Sequence, residues 1–263
     1  MAGQRQPFDA NTPSIARMYD YWLGGKDNFA VDRAAAERLL ELVPETRDIA
    51  RGNRRFLVRA VTYLAAQGID QFIDLGTGVP TSPNVHEIAR ETHPGVRVVY
   101  VDNDPIVAVH NQALHAVGGV RTLTADARDT AAVLDDPGVR ELIDSDRPVG
   151  VLCVAMLHYL GDDDQVRPVL DRYRAATVPG SYLAASIACS AWTTSDVTVR
   201  QSTSVLRKTA HPITLRSRDE IAALVSDIDV DEPGLVPITR WHANDPDLPV
   251  SVVAAVGRFR DDG

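Results

Sequence analysis

The stretch FIDLGTGVPTSP, residues 72–83, sets an acid and two closely spaced glycines behind a short apolar run and ahead of a Ser-Pro helix start. A short strand, a glycine turn and a helix in that order describe the opening crossover of a doubly wound sheet. Further apolar runs at 97–101, 120–124, 149–154 and 181–186 alternate with helical segments behind the one at 71–75. Alternation at this pitch implies right-handed strand–helix–strand units and a parallel sheet covered on both faces. The intervening helices have readable starts: Ser82 before Pro83, with Val85, Ile88, Ala89 and Thr92 inward, Asp104 before Pro105, and the acids at 162–164.

The flanks differ from this core. Ala36, Leu39, Leu40 and Val43 keep helical spacing up to Pro44, and a second stripe from Ile49 through Phe56, Leu57, Ala60, Val61 and Leu64 ends at Gly68. After a helix through 221–225, the β-rich runs GLVPITRW and VSVVAAVGRF, joined by HANDPDLP, suggest an antiparallel hairpin. We expect one α/β domain of 263 residues, with a helical lid or extension over 1–68 and a ligand-binding core over 69–263.

Composition excludes several classes. The longest apolar run, 149–157, is too short for a membrane span, and the first residues lack the basic-then-apolar order of a secretory leader, so a cytoplasmic protein is expected. A net charge of −9 argues against nucleic acid as a partner. The best basic cluster, RGNRR at 51–55, falls on a predicted helix and reads as a solvated face or, alternatively, a phosphate patch. Cys153 and Cys189 sit in apolar runs as buried thiols, and the histidines show no ligand spacing, so no metal is expected.

The glycine turn carries the chemistry. A dinucleotide site asks for a third glycine where Thr81 stands, and an acid at Asp74 would repel a pyrophosphate but attract a cation. S-adenosylmethionine, with its ammonium and sulfonium, suits such a turn, and unpaired N–H groups near Ser82 are expected to meet its anionic end. Gly76, Thr77 and Gly78 form the turn; Asp102, beside Asn103, ends the second strand 24 residues after Gly78, where an acid accepts ribose hydroxyls. Asp126 and Ala127 end the third strand, placed for an adenine amino group and ring nitrogen. After the fourth strand, VAMLHYL offers Met156 against the cofactor, Tyr159 toward a substrate, and His158 as a general base or as an ordinary packed histidine. There is no GxSxG elbow, and LGGKDN is not a P-loop.

FIDLGTG, YVDNDP and TADARD, with the terminal hairpin, resemble the motifs of class I S-adenosylmethionine-dependent methyltransferases. More narrowly, RMYDYWLGGKDNFAVDR, NRRFLVRAV and PGLVPITRW are similar to the actinobacterial S-adenosyl methyltransferase family, formerly a domain of unknown function, over almost the whole chain. The resemblance implies a Rossmann-like fold whose seven-stranded, mostly parallel sheet ends in an antiparallel hairpin. It also implies cofactor binding at Asp74, Gly76, Gly78, Asp102, Asp126 and Ala127, while it leaves the substrate unassigned; we expect a small-molecule methyl acceptor. The N-terminal segment would close over the cofactor with Tyr19, Tyr21, Lys26 and Asn28 as lid residues hinged at Gly24 and Gly25, although a packed helix and turn accounts for them equally well. Two other readings stay open: a non-catalytic binder of the same cofactor, and a nicotinamide-dependent oxidoreductase.

Overall fold

The computed structural model describes residues 11–111, 117–161, 163–190, 204–205, 213–246, 248 and 252–260. Its sheet begins with β1 (Gln71–Leu75), β2 (Arg97–Asp102), β3 (Val120–Thr124), β4 (Gly150–Val154) and β5 (Tyr182–Ala188), all parallel, within a residue or two of the apolar runs. Strand order is β3-β2-β1-β4-β5-β8-β6, with β7 alongside β8. Order therefore reverses between β1 and β4, and their carboxyl ends border the crevice where such sheets hold ligands.

Side chains alternate across the sheet with the strand period. Ile73, Val99, Val101, Val151 and Leu183 face one core, and Phe72, Val98, Tyr100, Leu152 and Ala184 face the other. The second face is covered by α3 (Thr46–Ala66), whose Phe56, Leu57, Ala60 and Leu64 pack on it. By strand parity Asp74 follows Phe72 onto the α3 side. α1 (Ile15–Leu23) and α2 (Ala30–Leu42) share a smaller core of Met18, Trp22, Ala36 and Leu39 with Ala50, so α3 belongs to both layers.

The antiparallel end is more elaborate than a hairpin. β8 (Val252–Phe259) runs along β5 and takes a three-residue partner, β6 (Ile228–Val230), which a run as short as IDV does not announce. GLVPITRW supplies only β7 (Val236–Pro237), because Pro237 has no N–H for a longer ladder. Its remainder turns under α3, where Trp241 is fully buried and meets Phe56 edge-on at 5.5 Å. Part of HANDPDLP lies outside the described residues.

Two local expectations need correction. The helix after β1, α4 (Val85–Arg90), starts with Asn84 as its cap and Glu87 closing the capping box, two residues beyond the Ser82 start. RGNRR is not a solvated face throughout: Gly52 and Asn53 are buried, Arg55 pairs with Asp245, and Arg54 reaches the loop after β1, while Arg59, one turn further on, donates to the Ile238 and Trp241 carbonyls. By contrast α5 (Pro105–Asn111) begins at Pro105, with Asp104 accepting from the Ile106 N–H at 2.8 Å.

Candidate cofactor cleft

At the β1 end, Gly76 and Gly78 take φ of 70° and 66°, a region that favours glycine. The N–H groups of Gly76 and Thr77 are spent on the Val101 carbonyl at 2.8 and 3.1 Å, which lashes the turn to β2. Asp102 completes the lashing: one carboxylate oxygen accepts from Gly78 N–H at 2.8 Å and the other from Asp104 N–H at 2.9 Å. A carboxylate has about four lone-pair sites, so capacity for a ribose hydroxyl remains beside these backbone bonds. A Cβ built on Gly78 would meet nothing within 4 Å, so the turn opens onto free space of the kind a ligand needs.

Asp74, buried at the end of β1, is bonded by the Thr77 hydroxyl. Burial pushes its carboxyl up to about 6, against the opposing effects of Thr77 and the charge of Arg54. Burial likewise carries Asp102 up to about 6, although backbone N–H groups of Asp104, Gly78 and Asn103 favour its anion. Two withdrawn carboxyls at neighbouring strand ends suit a cationic ligand, which would restore both to the ionised state. Asp126 differs: Arg128 grips it through Nε at 2.9 Å and Nη2 at 2.5 Å, so an adenine amino group would share that carboxylate with a guanidinium. The Asn103 side chain is exposed, and Ala127 is half-buried with its carbonyl 3.4 Å from the Tyr173 hydroxyl.

Across the reversal point, Ala155 adopts φ of 56°, unusual for a residue with a Cβ. It brings Met156 against the glycine turn so closely that a Cβ on Gly76 would lie 2.6 Å from Met156 Cγ. A hydrogen-bonded chain holds this bend. The Ala155 N–H donates to Ser186 Oγ at 2.8 Å, and Ser186 donates to Asn53 Oδ1 at 2.6 Å. Asn53 Nδ2 then donates to the Tyr19 hydroxyl at 3.1 Å, which donates to the Ala50 carbonyl at 2.9 Å. Ser186 and Asn53 are buried, and burial pushes the Tyr19 hydroxyl up to about 12.

His158 lies in the single turn that follows, buried, with Nδ1 accepting from the Ala188 N–H at 3.3 Å and its carbonyl accepting from Thr214 N–H at 2.7 Å. Burial and the charge of Arg216 lower its imidazole to about 3. Arg216 itself is buried on the carbonyls of Leu157, Leu160 and Gly161. These are the bonds of a packed, neutral histidine whose basic nitrogen is already engaged. Tyr159 is half-buried, its hydroxyl raised by burial and by neighbouring Tyr19.

The N-terminal candidates divide. Tyr19 and Tyr159 come together at the cleft. Tyr21 turns away to bond Glu37, Lys26 is exposed, and Asn28 donates to Asp20 Oδ2 at 2.8 Å. Buried Asp20 organises the LGGKDN turn, and a Cβ on Gly25 would lie 1.8 Å from its Oδ1. A separate clasp ties this segment to the second motif: Arg17 bonds Asp32 at 2.7 Å and Asp104 at 3.3 Å, and Ser14 Oγ bonds Asp104 at 2.5 Å. Sequence reasoning passed over Arg17, Asn53, Arg54 and Ser186. NRRFLVRAV contained two of them, but only the packing of α3 shows which way they point.

A glycine turn on β1, acids closing β1 and β2, and an antiparallel last strand beside β5 define the class I methyltransferase frame. The chain belongs to the S-adenosyl methyltransferase family, whose model matches residues 1–260. A Thermobifida fusca protein provisionally described as a methyltransferase shares 37% identity over 99% of this chain and 100% of its own, with a TM-score of 0.89. A DUF574 family protein from Streptomyces avermitilis shares 36% identity over 95% and 99%, at 0.90. In fold alone, the chain is also similar to the Burkholderia thailandensis 1,6-didemethyltoxoflavin-N1-methyltransferase, with 17% identity over 88% and 90% and a TM-score of 0.50. No protein of curated function shows a significant match. The chain is thus an S-adenosylmethionine-dependent methyltransferase, which displaces the oxidoreductase reading. Among the described residues no helix is long and apolar enough to cross a membrane.

Proposed function

We propose that the protein binds S-adenosylmethionine at the ends of β1–β3 and passes its methyl group to a small molecule in the cytoplasm. The observation that carries the donor site is the pair of carboxyls, buried Asp74 and half-buried Asp102, at a glycine turn that opens onto free space. Asp102 would take the ribose hydroxyls, and Asp126 with Ala127 the adenine edge.

Support for a small acceptor comes from α1. Its N-terminal end is fixed to Asp104 beyond β2, and Tyr19 is fixed through Asn53 to Ser186 on β5, so the helix bridges both sides of the crevice. A bridged mouth admits small molecules more readily than the surface of a macromolecule.

The bound donor supplies a methyl group on a positively charged sulfur. With the donor bound, an acceptor lone pair would bond the methyl carbon as the carbon–sulfur bond breaks, the sulfur keeping that bond's electron pair as S-adenosylhomocysteine, so alignment and exclusion of water are the main tasks of the residues here. Met156, packed on Gly76, would close the crevice floor, and the Tyr19 and Tyr159 hydroxyls would orient an acceptor. His158 is given no proton-transfer role, since its Nδ1 is occupied.

Incubation with methyl-labelled S-adenosylmethionine and a fractionated cell extract tests this reading. Label is expected in the small-molecule fraction. Label confined to protein or nucleic acid would overturn the acceptor class, and tight donor binding with no transfer to any fraction would favour a non-catalytic binder.

A further inference from the structure

The amino-acid end of the donor carries a carboxylate as well as an ammonium, and the start of the helix after the glycine turn is the obvious place for it. The structure closes that option. Glu87 Oε2 already accepts from the Asn84 backbone N–H at 2.5 Å, from its side-chain amide at 3.0 Å and from Ser82 Oγ at 3.2 Å. Those bonds hold the Glu87 carboxyl below its usual range, so an anion sits where a second would have to bind.

We propose that Arg54 holds the α-carboxylate of S-adenosylmethionine while Asp74 faces its ammonium. This subsite rests on the donor reading above. Arg54 projects from α3, the helix on the same sheet face as Asp74, and its Nη2 donates to the carbonyls of Thr81 and Pro83, each at 2.7 Å. The residue is therefore anchored to the loop that continues the glycine turn. Arg54 is half-buried beneath this loop, and its charge reaches Asp74.

What distinguishes Arg54 is what it is bonded to. Arg17 is matched by Asp32 and Asp104, and Arg128 by Asp126. Arg54 meets only neutral carbonyls among the described residues, and Nη2 alone makes those bonds. A guanidinium has five donors, so Nε and Nη1 keep three N–H groups for a carboxylate, with the orientation of the plane already fixed. The donor's paired charges then meet their opposites: ammonium at Asp74, carboxylate at Arg54.

Calorimetric titration of the wild-type protein, R54Q and R54K tests the assignment with three probes. These are S-adenosylmethionine, its decarboxylated form, and 5′-methylthioadenosine, which lacks the whole amino-acid end. R54Q is expected to weaken S-adenosylmethionine by about ten- to a hundredfold, the effect of one charge-assisted contact, and to leave 5′-methylthioadenosine within about twofold. The decarboxylated form should bind the wild type as weakly as S-adenosylmethionine binds R54Q. R54K, which keeps the charge but has too few donors for both carbonyls and ligand, should lie between, and it serves if R54Q does not fold. Equal weakening of all three probes would show that Arg54 only shapes the loop, and no change in any would remove it from the site. A wild-type protein that binds none of them would overturn the donor reading itself, a result distinct from either.

Discussion

The donor half of the cleft, around β1–β3, and the half assigned to the acceptor, after β4 and β5, are held by bonds of different reach. On the donor side the partners are close in the chain: Gly78 and Asp102 are 24 residues apart, Asp102 and Asp104 two, Asp126 and Arg128 two. On the other side Ala155 reaches Ser186 over 31 residues, Asn53 reaches Tyr19 over 34, and Ser186 reaches Asn53 over 133. The strand ends thus supply most of the bonds on the donor side, with Ser14 and Arg54 reaching in from α1 and α3, whereas the opposite wall exists only after α1, α3 and β5 have met.

Substitutions can separate the halves. Asp102→Ala should have the largest effect, since it removes the acceptor of two backbone N–H groups and the proposed ribose contact. Affinity for S-adenosylhomocysteine is expected to fall about a hundredfold by calorimetry. A change under threefold would break the assignment of this half.

Ser186→Ala probes the opposite side. It strands the Ala155 N–H and Asn53 Oδ1 in a dry layer, and should lower stability in urea by about 2 kcal/mol while leaving donor affinity within about twofold. Lost donor affinity at unchanged stability would mean that the two halves are not separable.

The donor half should also respond to pH. With Asp74 and Asp102 raised to about 6, each holds a proton below that pH, which must leave before a cation gains the carboxylate. Binding of S-adenosylmethionine is expected to strengthen about tenfold from pH 5 to pH 7 per group so linked. A flat or falling profile would place the cationic end of the donor elsewhere.

The smallest response belongs to His158. Lowered to about 3, its ring signals in NMR should keep their neutral positions from pH 8 to pH 5. An inflection in that range would return it to candidacy as a base.

Legibility followed the same division. β1 and β3 and the start of α5 could be read to the residue, because apolar runs bounded by Asp, Gly and Pro report local geometry. The places of Asp74 and Asp102 at the ends of β1 and β2 were legible for that reason. The start of α4 was missed because Asn84 with Glu87 outcompetes Ser82, and β6 because three residues have no period. Asn53, Arg54 and Ser186 were hidden more deeply. Nothing in NRRFLVRAV or in the run YLAASIA states that Asn53 and Ser186 face each other between α3 and the sheet.

That adjacency on α3 has one more consequence. Asn53 and Arg54 are successive residues about 100° apart around one helix, the first fixing the turn after β4 and the second the loop after β1. On the proposed reading the helix is a jig that sets the spacing between the loop after β1 and the turn after β4. A one-residue insertion just before this pair would rotate both sides out of alignment together, so in the evolution of this fold the length of α3 is far less free to vary than the loops around it.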